Sequence, residues 1–190
     1  MERAGDLLFE ILYFPGSLRC VWGEEKMQMQ QLLEAMIAYM GGDARRIQHF
    51  IKVHALAQLL GRQEQMDDRT QFILETAALT HDIGIKNGEA KFGAGKCSGK
   101  TQEQEGPPAA AELLGKLGFA SDVCERVCYL IGHHHTYTNI DGLDYQILVE
   151  ADFLVNFYED GMSQAAIKTT CERIFKTEAG IRLCRQMFGI

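Results

Sequence analysis

The chain has 190 residues, of which 46% are hydrophobic and 24% charged, and its formal net charge is −7. This length and composition are typical of one globular domain with a substantial core. The acidic balance and the lack of a long basic block argue against binding to duplex nucleic acid, and no apolar run reaches the length of a membrane span. Because the six cysteines form no C-x-x-C pair, we expect a protein of the reducing cytoplasm.

Apolar residues recur at helical spacing along most of the chain, whereas the alternation typical of strands is nearly absent. The helical region is expected to open at Met27. Gly41-Gly42 ends its first helix, and Asp43 is a suitable N-cap for a second helix that ends near Gly61. Further helices are predicted over residues 68–81, 112–118, 121–134, 143–159, 162–175 and 177–188. The expected fold class is therefore all-α, a helical bundle.

Residues 1–26 fit this array poorly, since they contain Pro15, Gly16 and the only tryptophan, Trp22. We interpret them as an N-terminal appendage or as an extension upstream of the natural start. Residues 27–190 are expected to form a single helical domain.

Residues 86–106 also interrupt the helical pattern, because several glycines and lysines are interspersed along them. The sequence predicts a long basic loop here, and a loop of this length is either functional or a solvated connection. In the functional reading, residues 86–104 form a mobile cover that brings a lysine over a substrate phosphate. The cover would contain Lys86, Lys91, Lys96 and Lys100 among four glycines, Gly88, Gly93, Gly95 and Gly99, and Gly106 follows it.

Imidazole and carboxylate side chains occur inside apolar, helix-like stretches at separated positions. His81-Asp82 follows an apolar segment and precedes Ile83-Gly84, where glycine would allow the backbone angles of a helix end. His49 lies on the second predicted helix, and Asp152 follows Leu148-Val149. An ionisable group in such surroundings is costly unless it is paired or coordinated. Since imidazole nitrogens and carboxylate oxygens bind hard and borderline divalent metals, these residues are candidate metal ligands.

The run His133-His134-His135 lies at the end of the helix predicted over residues 121–134. His134 continues the buried face of that helix, three residues beyond Ile131, whereas His133 points elsewhere. His54 is rotated far round its helix from His49, and we interpret it as structural.

Four segments, in this order, resemble the HD-domain metal-dependent phosphohydrolases over residues 43–158. They are Arg46-Ile47-Gln48-His49, His81-Asp82-Ile83-Gly84, His134 and Ala151-Asp152. The resemblance implies an α-helical domain that binds one or two divalent metals and hydrolyses phosphate monoesters or diesters, mostly of nucleotides. It also implies that His49, His81, Asp82 and Asp152 are the core ligands.

A second metal is an open question at this stage. Relatives with two metals carry further histidines, and His134 and His135 match a family His-His pair. Glu105 stands where such relatives often have a histidine. A carboxylate there could bind the second ion, or it could only face the positive end of a helix dipole.

The resemblance and the charge pattern together predict the chemistry. Asp82 would also orient the attacking water, while Arg46 and Lys86 would neutralise charge on the phosphate. Lys86 is shifted by one position from the family lysine, because Ile85 intervenes. The cation would be Mn²⁺, Fe²⁺, Mg²⁺, Co²⁺, Ni²⁺ or Zn²⁺, the substrate a small phosphorylated molecule such as a nucleotide, and the protein could be a homo-oligomer. The alternative is a metal-holding sensor on the same scaffold with little turnover.

Overall fold

A computed structural model describes residues 18–190 of the chain. All regular secondary structure in this part of the chain is helical, which confirms the expected all-α fold. No helix among these residues combines the length and apolarity that crossing a membrane requires. The helices are α1 (Leu18–Tyr39), α2 (Ala44–Gln63), α3 (Asp68–Thr80), α4 (Gly84–Phe92), α5 (Gly99–Lys116), α6 (Ser121–Ile131), α7 (Leu143–Glu159), α8 (Gln164–Ile174) and α9 (Glu178–Phe188).

Helices α2, α3 and α7 form the centre of the bundle, because each packs against the other two. Phe50 on α2, Leu74 on α3 and Leu148 on α7 are buried members of the hydrophobic core. The side chain of Asp43 starts α2 as the sequence predicts, by accepting a hydrogen bond from the backbone N–H of Arg46. Asp67, which the sequence analysis did not single out, caps α3 in the same way. This trio of helices holds the apolar stretches that carry the predicted ligands.

The helical region begins earlier than expected. Helix α1 starts at Leu18, so the prediction that the first helix opens at Met27 is wrong. The single interior Gly23 costs only about 1 kcal/mol in a helix and does not end it. Residues 1–17 of the expected appendage lie outside the described residues, and the division of the chain at residue 27 stays a prediction.

The predicted loop over residues 86–106 is wrong, because most of this segment is helical, and the mobile cover expected from it loses the long loop on which it rested. Lys86 and Lys91 lie on α4 and Lys100 on α5, and only residues 93–98 connect the two helices. Two of the glycines in this segment reflect close packing: a Cβ atom on Gly88 would lie 2.3 Å from Cys97 Sγ, and one on Gly99 would lie 2.8 Å from the ring of His135. Within residues 86–106, only Gly93 and Gly95 adopt the positive φ that favours glycine.

Helix α5 begins well before the helix predicted at residues 112–118. Ser98 caps it by accepting a hydrogen bond from the backbone N–H of Thr101, and the helix continues through Pro107 and Pro108. Proline removes a backbone donor and normally ends or kinks a helix, which is why the sequence pattern indicates a later start. Packing of α5 against α4 and α6 outweighs that local preference.

Candidate metal centre

Four side chains from three parts of the chain converge at the centre of the bundle. Nε2 of His49 lies 3.2 Å from Nε2 of His81, 3.1 Å from Oδ1 of Asp152 and 3.7 Å from Oδ2 of Asp82. Nε2 of His81 lies 3.5 Å from Oδ2 of Asp82 and 3.6 Å from Oδ1 of Asp152. Such separations suit neighbouring ligands at about 2.0–2.2 Å from one ion.

A tight turn between α3 and α4 aims both His81 and Asp82 at this point. The backbone N–H of Ile83 donates to the carbonyl of Thr80, and α4 begins at once with Gly84. Gly84 does not have the positive φ expected of it. It is required for space, because a Cβ atom there would lie 2.6 Å from the backbone nitrogen of Gly106 on α5.

The other ring nitrogen of each inward-facing histidine has its own partner. Nδ1 of His81 lies 2.9 Å from the carbonyl of Ala78, and Nδ1 of His134 lies 2.7 Å from the carbonyl of Ile131. A carbonyl oxygen only accepts, so these Nδ1 atoms carry a proton and the Nε2 atoms are the ones that face the cluster, able to coordinate a metal once deprotonated.

Two further contacts orient the remaining ligands. Nδ1 of His49 lies 3.1 Å from Oε2 of Glu159. The side-chain amide of Asn156 donates to Oδ1 of Asp152 over 2.9 Å. His49, His81 and Asp152 are therefore each held by a contact outside the cluster.

The electrostatics of the cluster favour a positive charge at its centre. Burial disfavours the charged imidazolium of His81, but Asp82 and Asp152 raise its pKa to about 9. Burial likewise opposes ionisation of Asp82, yet His81 and His134 lower its pKa to about 2. A proton or a cation would offset the facing nitrogen lone pairs and the buried carboxylates. Two imidazole nitrogens and two carboxylate oxygens are a suitable donor set for a borderline divalent ion, so these residues fit a metal.

A second group of donors adjoins the first through Asp82. Asp82, His134 and His135 each offer one atom within the mutual distance that an ion requires. Nε2 of His134 is buried without a hydrogen-bond partner among the described residues, and it lies 3.7 Å from Oδ1 of Asp82. Burial and the neighbouring His134 lower the pKa of His135 to about 4, so its imidazole is neutral and able to coordinate. Asp82 directs one oxygen to each group, as a bridging carboxylate would.

The structure does not bring Glu105 into either group, because both its oxygens lie 2.7 Å from Nζ of Lys91. Two nearby residues that sequence reasoning missed contact the histidine run instead. Glu103 accepts from the backbone N–H of His135, and Oε1 of Gln102 lies 2.7 Å from Nε2 of His135. Predicting a helix over residues 99–116 would have indicated these two residues, because both lie in the first half of α5.

Arg46 and Lys86, predicted to meet the phosphate, both have protein partners. Arg46 forms a bidentate pair with Glu89 at 3.0 and 2.7 Å and contacts Asp43 at 2.9 Å. Nζ of Lys86 donates to the carbonyl of Tyr39 over 2.7 Å and lies above its ring. The structure therefore directs Lys86 towards α1, whereas Arg46 stays beside the cluster.

The remaining two histidines lie outside both groups. Nδ1 of His133 lies 2.7 Å from the carbonyl of Tyr129. Nε2 of His54 lies 3.4 Å from Oε2 of Glu75, on the side of α2 towards α3. Neither is in the two donor groups.

A cavity of about 220 Å³ reaches the cluster from the surface and includes two of its ligands. It is lined by Asp43, Arg45, Arg46, His49, Asp82, Ile85, Asn156 and Glu159. A roomier cavity of about 360 Å³ lies between α1, α2 and α3, but none of the candidate ligands lines it. The smaller cavity is therefore the one relevant to chemistry at the cluster.

The fold and this site define an all-α protein with a buried His/Asp cluster that could hold a metal ion. The HD domain family matches residues 46–176, and the chain belongs to that family. A crystal structure of a predicted HD superfamily hydrolase from an uncultured Thermotogales bacterium is similar, with a TM-score of 0.61, 25% sequence identity and coverage of 84% of each chain. No curated protein matches the chain.

Proposed function

We propose that the chain is a metal-dependent phosphohydrolase that uses water to cleave a phosphate monoester or diester of a small molecule such as a nucleotide. One observation carries the proposal: a cavity reaches His49 and Asp82 and has two arginines, Arg45 and Arg46, in its wall. Membership of the HD domain family and similarity to a predicted hydrolase support it.

The metal would be held by His49, His81, Asp82 and Asp152, and a second ion by Asp82, His134 and His135. A divalent cation bound there would supply the Lewis acidity that makes a water nucleophilic and stabilises phosphoryl charge. Because its pKa is about 2, Asp82 stays a carboxylate at neutral pH and can accept a hydrogen bond from the attacking water.

The guanidinium of Arg46 would face the substrate phosphate from the wall of the cavity. Asp43 and Glu89 hold that guanidinium in place. Arg45, which the sequence analysis did not single out, is largely exposed at the mouth and pairs with Asp160 only at 3.9 Å. It is available to attract an anionic substrate from solution.

The cavity also bears on the alternative of a metal-holding sensor. A sensor could have its metal sealed from solvent, whereas here the cavity exposes a route to His49 and Asp82. The open mouth of this cavity supports a hydrolase, which must admit a substrate, rather than a sensor that only holds a metal.

The test is a panel of phosphate esters assayed with Mn²⁺, Fe²⁺, Mg²⁺, Co²⁺, Ni²⁺ and Zn²⁺, alongside metal analysis of the purified protein. Asp82→Asn should lower kcat/KM by at least about 100-fold, and Arg46→Ala should mainly raise KM. Arg62→Ala is the matched control, because Arg62 pairs with Asp68 and does not line this cavity. A protein that binds metal but hydrolyses no ester of the panel would contradict the proposal.

A further inference from the structure

Glu159 is the last residue of α7 and lies about two helical turns beyond Asp152. Its side chain is only 13% exposed. One carboxylate oxygen, Oε2, lies 3.1 Å from Nδ1 of His49. The other, Oε1, forms an ion pair with Nζ of Lys52 on α2. Glu159 therefore joins the C-terminal end of α7 to the helix that carries a candidate metal ligand.

His49 differs from the other inward-facing histidines in the kind of partner that orients it. His81 and His134 each donate from Nδ1 to a carbonyl of the preceding helical turn, so their ring orientation is set by local backbone. The Nδ1 partner of His49 is a side chain from another helix. A carboxylate accepts a stronger hydrogen bond than a carbonyl does and makes the imidazole a better electron donor.

Glu159 is not placed to bind the same ion as His49. Its oxygen is on the Nδ1 side of the ring, whereas the Nε2 side faces His81 and Asp152. The two nitrogens of an imidazole point away from each other, so a group bonded to one does not reach an ion on the other.

We propose that Glu159 is a positioning residue for the metal centre. It accepts a hydrogen bond from Nδ1–H of His49 and thereby leaves the Nε2 lone pair to face the ion, while Lys52 keeps the carboxylate in place. The inference rests on the metal-dependent function proposed above, because it assigns His49 as a ligand. It adds to that function a contact on which metal affinity depends.

The experiment measures the Kd for Mn²⁺ by electron paramagnetic resonance on the full chain. Glu159→Ala should raise this Kd by about 10–100-fold, the usual cost of removing the partner of a metal-bound histidine. Glu159→Gln retains an acceptor oxygen without the charge, so its Kd should be intermediate. Glu172→Ala is the matched control, because Glu172 is an exposed glutamate on α8 and should leave the Kd unchanged.

Two further measurements separate positioning from general stability. The metal-free variants are compared by urea unfolding, and the absorption spectrum of bound Co²⁺ reports ligand geometry. A changed Co²⁺ spectrum in Glu159→Ala, restored towards that of the unaltered protein in Glu159→Gln, is the expected result. If Glu159→Ala binds Mn²⁺ as tightly as the unaltered protein and gives the same Co²⁺ spectrum, the proposal is wrong.

Failure of the proposed function has a different signature. Tight Mn²⁺ binding without hydrolysis of any ester would reject the phosphohydrolase, yet the Glu159 variants would still decide the positioning role. An unaltered protein that binds no Mn²⁺ and no Co²⁺ would reject the metal centre and the positioning role together.

Discussion

Gly84→Ala should destabilise the protein, because the first residue of α4 touches the backbone of α5. A Cβ atom at Gly84 would lie 2.6 Å from the backbone nitrogen of Gly106 and 2.7 Å from the carbonyl oxygen of Gln102, where ordinary contacts begin at 3.4 Å. Both atoms belong to the backbone and have no rotamer to escape into. The two helices must therefore separate by several tenths of an ångström, at a cost of about 1–3 kcal/mol.

The matched control is Gly115→Ala on α5, where nothing lies within 4 Å of the added Cβ atom. Alanine is preferred over glycine inside a helix, so this variant should gain up to about 1 kcal/mol. Urea unfolding followed by circular dichroism gives both free energies of unfolding. Because Gly84 directly follows the turn that holds His81 and Asp82, Mn²⁺ affinity should also fall in Gly84→Ala. If Gly84→Ala unfolds at the same urea concentration as the unaltered protein, the close contact does not constrain the fold.

Three other predictions concern buried polar groups. Glu150 is fully buried and accepts hydrogen bonds from the backbone N–H groups of Lys176 and Thr177 at 2.6 and 3.0 Å. Glu150→Ala should therefore lower the free energy of unfolding by about 1–3 kcal/mol for each donor left unpaired. An unchanged urea midpoint would argue against this. Tyr145 donates a hydrogen bond to the carbonyl of His133 over 2.6 Å. Tyr145→Phe should therefore lower the free energy of unfolding by about 1 kcal/mol and speed amide exchange in residues 133–136. Unaltered exchange there would show that this hydrogen bond does not hold the turn. The imidazolium of His81 must lose a proton before it can bind a metal, and in the metal-free protein its pKa is about 9. The Kd for Mn²⁺ should therefore fall about tenfold per pH unit as the pH rises from 7 towards 9. Calorimetry in buffers of different ionisation enthalpy should detect the released proton. A Kd that does not change with pH would contradict the raised pKa.

The local sequence was sufficient for most of the helices and for the four side chains that converge at the centre of the bundle. The limits predicted for one helix, residues 143–159, are those of α7, because a continuous apolar pattern between a glycine and a polar turn leaves few alternatives. His49, His81, Asp82 and Asp152 stood out because ionisable groups in apolar helical stretches are costly without a partner. The burial of such a group, and its need for a partner, can be predicted from the residues next to it in the sequence.

The tertiary structure decided which partner each polar group meets. Lysines and glycines over residues 86–106 resemble a mobile loop, yet Gly88 within this segment and Gly84 just before it let α4 pack closely against the chain that follows it. The contact of Glu159 with His49 links residues that are far apart in the sequence. The contact of Glu105 with Lys91 lies in the segment that the sequence predicts to be a loop. Helix propensity and periodicity depend on residues a few positions apart, whereas these contacts depend on how whole helices pack, which no local pattern encodes.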